Sequence, residues 1–275
     1  MEGKVNTVVY SKDLETIGEY IQILKKKPND FMAHVSKGGG YYVKRIYDKA
    51  IDDYICALSA LGLEYGTTDI EKINLQIEKY NQNYSLENKL TLSSISDLYN
   101  FIGLAFRGGN SYDRALFNYN NAIAIDPGHF RVYNNIGYLY LDLKKNELAI
   151  ENFDIAIKYN DKYAEAYNNR GIAKSRIGHR KYAEEDYIKA TKFNDKFPDP
   201  WYNLGILYFE DKRYKEAIKA FKKATKIANK FALAYFNLGI SYSKVGKYIR
   251  SQYNITKAYK LEPDNPLILN ALKGD

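Results

Sequence analysis

Over residues 96–265 the apolar positions fall into short helical stripes that stop, turn and resume. Trp201, Leu204, Gly205 and Tyr208 stand at i, i+3, i+4 and i+7, and Tyr214, Ala217, Phe221 and Ala224 make a second stripe of similar spacing. This spacing places side chains on one face of an α-helix. Turn residues separate the stripes, as at Gly108-Gly109-Asn110, Gly178 and Gly246. The pattern predicts pairs of short helices and an all-α chain.

The pairs recur every 34 residues, from Ser96, Phe130, Ala164, Pro198 and Ala232. Position 4 of each unit is Tyr99, Tyr133, Tyr167, Trp201 and Tyr235; position 8 is Gly103, Gly137, Gly171, Gly205 and Gly239. Position 20 is Ala115, Ala149, Ala183, Ala217 and Ser251, and position 27 is alanine in all five. Position 24 is Tyr119, Phe153, Tyr187, Phe221 and Ile255. Small residues let two helices approach, and the aromatics fill the remaining space. One such pair cannot bury its apolar face alone, so the units must stack. Most of the 28 tyrosines are thereby assigned to the repeat core, with their hydroxyls reaching solvent or a polar partner.

Trp201, Leu204, Gly205, Tyr208, Ala217, Phe221 and Ala224, with Pro127 and Pro263 at position 32, resemble the tetratricopeptide repeat (TPR) family. The resemblance covers 96–265 and implies a right-handed TPR superhelix, an α-solenoid of helix–turn–helix units. Arg170 and Lys174 depart from it, standing where Leu and Tyr are usual, and Ser251 and Ile255 loosen the last second helix. The expected organisation is an N-terminal helical segment over 1–30, half of another repeat, and a divergent repeat over 31–64. An irregular insertion or decayed repeat over 65–95 follows. Repeats then run over 96–129, 130–163, 164–197, 198–231 and 232–265, with a capping stub over 266–275. Leu14 to Lys27 reads as one amphipathic helix, Ile70 to Tyr80 as another, and Tyr84 to Ser94 as loop plus a short helix. Gly38-Gly39-Gly40 should weaken its helix, at about 1 kcal/mol per surplus glycine.

Composition narrows the function. The chain has 275 residues, 45% hydrophobic and 27% charged, with no apolar run long enough to span a membrane and no secretory h-region at its start. Cys56 is the one cysteine, which fits a reducing compartment, and a cytoplasmic location is expected. His34, His129 and His179 lack metal-ligand spacing, and Gly38-Gly39-Gly40 lacks the strand and the Gly-Lys-Ser/Thr of a phosphate loop. No ordered nucleophile, base and acid are evident, so neither an enzyme nor a cofactor is expected. The formal charge of +8 is uneven: residues 211–260 hold 13 Lys/Arg against Asp211 and Glu216, a net of +11, which leaves −3 elsewhere.

The candidate site is the side of each first helix that the stripe leaves free, which in the TPR family lines a concave peptide groove. Position 6 is Asn135, Asn169, Asn203 and Asn237, a row of amides that either bonds a peptide backbone or ties neighbouring helices together. Around it stand Asn100, Asn134, Asn168, Tyr202 and Phe236 at position 5, then Tyr138, Ile172, Ile206 and Ile240 at position 9, and Phe209 at position 12. Tyr202, Phe209 and Phe236 are the expected anchors. Chaperone-tail TPR domains use Lys at position 5 and Asn at position 9; neither occurs here, so acidic chaperone C-termini are not expected ligands. The expected function is a non-enzymatic scaffold binding a protein, peptide or partner helix. The alternative is an anionic partner, nucleic acid or an acidic surface, on a basic convex face of Lys212, Arg213, Lys215, Lys219, Lys222, Lys223, Lys226 and Lys230. Self-association through terminal repeats is a third route.

Overall fold

The computed structural model describes residues 14–83 and 89–273; the expectations for 1–13, 84–88 and 274–275 lie outside them. Among the described residues there are helices and no strands, as the 3.6-residue periodicity requires. The helices divide between two compact units, residues 1–139 and 140–275.

In the first unit α1 (Leu14–Lys26) packs on α2 (Phe31–Val43), and α2 pairs with α3 (Tyr47–Ala60). Helix α3 packs on α5 (Leu92–Gly108), which pairs with α6 (Tyr112–Ile125). The two hairpins are therefore stack neighbours although residues 61–91 separate them in sequence. Within that segment α4 (Ile70–Asn81) buries Ile73 and Ile77, and its Tyr80 ring meets Phe31 edge-on at 6.0 Å. Leu92 to Ser94 do not form a separate short helix. They are the first turn of α5, because Thr91 and Ser94 cap it reciprocally: each hydroxyl accepts from the other's backbone N–H, at 3.3 and 3.1 Å.

The second unit takes over within α7 (Phe130–Asp142) and continues through α8 (Asn146–Tyr159). Three hairpins follow: α9 (Ala164–Arg176) with α10 (Arg180–Phe193), α11 (Pro198–Glu210) with α12 (Tyr214–Ile227), and α13 (Ala232–Lys244) with α14 (Tyr248–Leu261). Each second helix packs on the next first helix, and α15 (Pro266–Lys273) packs on α14.

Every first helix from α2 to α13 ends alike. Position 15 turns left-handed at Arg45, Asn110, Lys144, Gly178, Lys212 and Gly246. The next residue donates its N–H back five places, as Lys145 does to Tyr140 O at 2.9 Å and Arg213 to Tyr208 O at 2.8 Å. This is the Schellman arrangement, which satisfies the helix's last carbonyls and turns the chain into the second helix. Glycine adopts that conformation freely; four of the six turns are made without it.

Within a hairpin the closest approach is between position 8 and position 24. A Cβ on Gly38 would lie 2.7 Å from the Tyr54 ring, on Gly103 2.5 Å from Tyr119, on Gly171 2.6 Å from Tyr187 and on Gly205 2.4 Å from Phe221. These rings are buried, and Tyr54, Tyr119 and Phe221 are among the largest fully enclosed side chains. The glycine triple in α2 thus has a packing role that its propensity conceals. Gly38 receives Tyr54 of α3, while a Cβ on Gly40 would lie 2.7 Å from Ile17 of α1, so α2 runs unbroken between two close neighbours.

The α9–α10 hairpin departs from the apolar rule. Arg170 and Lys174, in place of core Leu and Tyr, both meet Asp186 of α10, whose side chain is 3% exposed. Arg170 binds that carboxylate through two nitrogens, at 2.6 and 2.8 Å, and also reaches Asp154; Lys174 Nζ adds a bond at 2.8 Å. Burial works against the Arg170 charge, but Asp186 and then Asp154 outweigh it and hold the proton more firmly than usual. Arg170, Lys174 and Asp186 together make one satisfied ionic layer.

Two outcomes follow. Gly103→Ala should destabilise the protein by about 1–2 kcal/mol, overpacking against Tyr119 exceeding the helix-propensity gain of about 1 kcal/mol, whereas Gly18→Ala, with no atom near its new Cβ, should stabilise by up to about 1 kcal/mol. Urea unfolding distinguishes the signs. Asp186→Ala should cost about 2–3 kcal/mol by removing the carboxylate from two partly buried cations, of which Arg170 keeps Asp154, while Arg170→Leu/Lys174→Tyr/Asp186→Ala should be as stable as the natural chain or more so.

Candidate functional site

The first-helix face carries a ladder of side-chain hydrogen bonds. In the first unit Asn135 Nδ2 donates to Asn100 Oδ1 at 2.8 Å. In the second unit Asn203 Nδ2 donates to Asn168 Oδ1 at 2.9 Å, and Asn237 Nδ2 to the Tyr202 hydroxyl at 3.1 Å. Each rung joins position 6 of one first helix to position 5 of the first helix before it. The Asn168 amide also donates to Asn169 Oδ1 at 3.3 Å. Tyr202 replaces an asparagine in this series but keeps the acceptor. Its phenol titrates above the ordinary range because it is buried, an effect the Asn237 bond only partly offsets, so it stays neutral at physiological pH.

The ladder divides the predicted residues into two sets. Asn100, Asn134, Asn168 and Asn169 are buried and belong to the helix–helix contact rather than to an open surface. Asn135, Asn203 and Asn237 are half-buried, and their Oδ1 atoms have no hydrogen-bond partner among the described residues. The predicted anchors are also partly committed. The Tyr202 ring lies 4.8 Å from Phe231 and 5.8 Å from Phe221; Phe209 meets Tyr214 at 5.4 Å; Phe236 packs on the buried cluster around Tyr235 and Ile268. Ile172 and Ile206 contribute to core clusters, and Ile240 is half-buried. In the first unit Tyr138 is exposed, with the Arg107 guanidinium over its ring at 4.1 Å. Hydrophobic pattern alone could not separate these roles, since the face beside the core stripe also meets the neighbouring first helix.

The basic candidates divide too. Lys212, Lys215, Lys219, Lys222, Lys223, Lys226 and Lys230 are exposed on α12 and its flanks and form no ion pair among the described residues. Arg213 does not join them. Its guanidinium binds Glu184 at 3.0 Å and Glu216 at 3.2 Å and lies over the Tyr208 ring at 4.2 Å. Burial and the Glu184 bond together push the Tyr208 phenol up to about 12.

The fold also assembles a grouping that sequence order hides. The Ser96 hydroxyl lies 2.8 Å from His129 Nδ1, and His129 Nε2 lies 3.1 Å from Asp97. Serine, histidine and aspartate in contact suggest a nucleophile. Here, however, Ser96 is fully buried and donates to the Ala122 carbonyl at 2.9 Å, so the group staples α5 to the end of α6 and presents no nucleophile to a substrate. Cys56 is exposed on α3, but desolvation and then the neighbouring Asp53 push its thiol above its ordinary value, which disfavours the reactive thiolate. Among the described residues no group of His, Cys, Asp and Glu is placed to hold a metal ion, and no helix is long and apolar enough to cross a membrane.

The repeats have counterparts in known proteins. A TPR repeat model matches residues 103–144 and 207–246, and a tetratricopeptide repeat model matches 130–163. No curated protein sequence matches the chain. Among solved structures, the MamA protein is 26% identical over 61% of this chain and 92% of its own, with a TM-score of 0.52. PilF of Pseudomonas aeruginosa is 16% identical over 94% of this chain and 97% of its own, at 0.64. YrrB, a TPR protein with an unusual peptide-binding site, is 21% identical over 72% of this chain and 97% of its own, at 0.51. With its 34-residue hairpins, its position-8 glycines set against position-24 side chains and its matches to the repeat models over 103–163 and 207–246, this chain carries tetratricopeptide repeats.

Proposed function

We propose that the chain is a non-enzymatic interaction scaffold that takes a peptide or partner helix along the first-helix face of the second unit. The observation that carries this reading is the half-used amide. Asn203 and Asn237 are each fixed by one donated bond to the preceding helix, and each keeps its carbonyl oxygen without a partner among the described residues. A fixed acceptor has already lost its rotamer freedom, so a ligand N–H that meets it loses less entropy on binding. The two amides repeat at the spacing of the units and suit a ligand backbone regardless of its sequence. Half-buried Ile206, Phe209 and Ile240 supply adjacent apolar surface. Asn135 offers the same arrangement in the first unit.

Binding of this kind rests on surface burial and neutral hydrogen bonds, so it should withstand salt. The α12 lysines would give the opposite behaviour, a steep loss of affinity as salt rises. The test is capture from a cell lysate at low and high salt by the natural protein and by Asn203→Ala/Asn237→Ala, with circular dichroism confirming equal helicity. Partners should survive high salt on the natural protein and be lost, by tenfold or more, on the variant. Partners released by salt or nuclease and indifferent to the variant would contradict the proposal and move binding to the lysines.

A further inference from the structure

A cleft of about 580 Å³ opens in the first unit between α3 and α6. Its floor is apolar, with Ile51, Ile55 and Phe117, the last 49% exposed. Its rim is acidic, with Asp48, Asp52 and Asp113 all exposed and without an ion-pair partner among the described residues. Asp48 and Asp113 stand in the first turns of their helices, where an acid complements the helix dipole; Asp52, a turn further on, has no such role. Arg114 is the one cation at the cleft, and its guanidinium lies 5.7 Å from the Phe106 ring. A cleft of the second unit, between α10 and α12, has an apolar floor with Trp201 and Ile188 but carries Lys192, Lys219 and Glu216, the last paired with Arg213. The rim of three unpaired carboxylates is not repeated there.

Helix α14 has the complementary surface. Ile249, Tyr253, Thr256 and Lys260 make one stripe along it; Ile249 is 89% exposed and Tyr253 66%. The helix contains no Asp or Glu. Lys260 in the stripe and Lys247 and Arg250 beside it are exposed, Arg250 with its guanidinium 5.8 Å from the Tyr242 ring, while Lys257 is drawn to the Tyr235 ring at 4.2 Å. Large apolar side chains held in water next to unpaired cations indicate a docking surface.

We propose that α14 of one copy of this chain docks in the acidic cleft of a second copy, Ile249 and Tyr253 entering between α3 and α6 while Arg250 and Lys260 meet the rim carboxylates. Each copy offers both halves of the contact. The association is heterologous, so copies join head to tail, closing into a ring or growing on. Exposed charges frame it, so it weakens with salt.

Sedimentation velocity across a protein concentration series is the test. At low salt the mean sedimentation coefficient should rise with concentration above that of the monomer, and the rise should vanish at high salt. Asp52→Lys/Asp113→Lys and Arg250→Glu/Lys260→Glu, all at exposed positions, should each leave a monomer. An equal mixture of the two variants, or one chain carrying all four changes, should associate again because the charges again oppose. A natural protein that stays monomeric throughout, variants that associate like it, or variants that lose association without recovery in the mixture would each overturn the proposal.

Discussion

The contact on which the structure depends is the one between a glycine and a ring. In the hairpins of Gly38, Gly103, Gly171, Gly205 and Gly239 a first helix brings its bare backbone at position 8 against the side chain at position 24 of the second, which is aromatic in all but the last of them. No side chain fits between them. The missing Cβ lets the ring reach the helix surface, where it makes many close van der Waals contacts, each small and together large. The approach fixes how near the helices lie, and the left-handed residue at position 15 fixes where the chain reverses. With both settled, the outer faces repeat with the same period, and neighbouring hairpins within each compact unit can stack in one way.

From that regularity comes the ladder on the first-helix face. Asn203 reaches Asn168, and Asn237 reaches Tyr202, because equal hairpins put position 6 of one helix beside position 5 of the last. The same stacking leaves clefts between successive second helices, whose character each unit sets for itself: acidic beside α3 and α6, lysine-bearing beside α10 and α12. The ionic layer of Arg170, Lys174 and Asp186 shows how far composition can drift while geometry holds. A buried ion pair contributes little net stability compared with apolar packing, so its presence in α9 and α10 is tolerated by good geometry rather than required by the fold.

Much of this was legible in residue spacing. Period, helix pairing and close approach at position 8 can be read directly, because each leaves a fixed residue type at a fixed interval. What stayed hidden was pairing across the chain. Ser96 and Asp97 open the repeat that His129 closes, 33 residues apart in sequence from Ser96 to His129, and they meet only once α5 and α6 fold together. Arg170 and Lys174 read as lapses until Asp186 comes opposite them, one hairpin turn away. Gly40 read as a weakness because its partner, Ile17, belongs to a helix outside the hairpin. Tyr202 read as a free anchor because spacing shows which face a residue occupies but not whether Phe221 and Phe231 already fill the space beside it.

The measurement that bears most directly on the glycine–ring contact is a double-mutant cycle of Gly205→Ala and Phe221→Ala, followed by urea unfolding. If the ring is what excludes the methyl group, Gly205→Ala lowers stability in the natural background. With Phe221 removed, the same change raises it by about 1 kcal/mol, the helix propensity of alanine over glycine then acting alone. An effect of the same sign and size in both backgrounds would mean that Gly205 and Phe221 are not coupled, and that the hairpin geometry is set elsewhere.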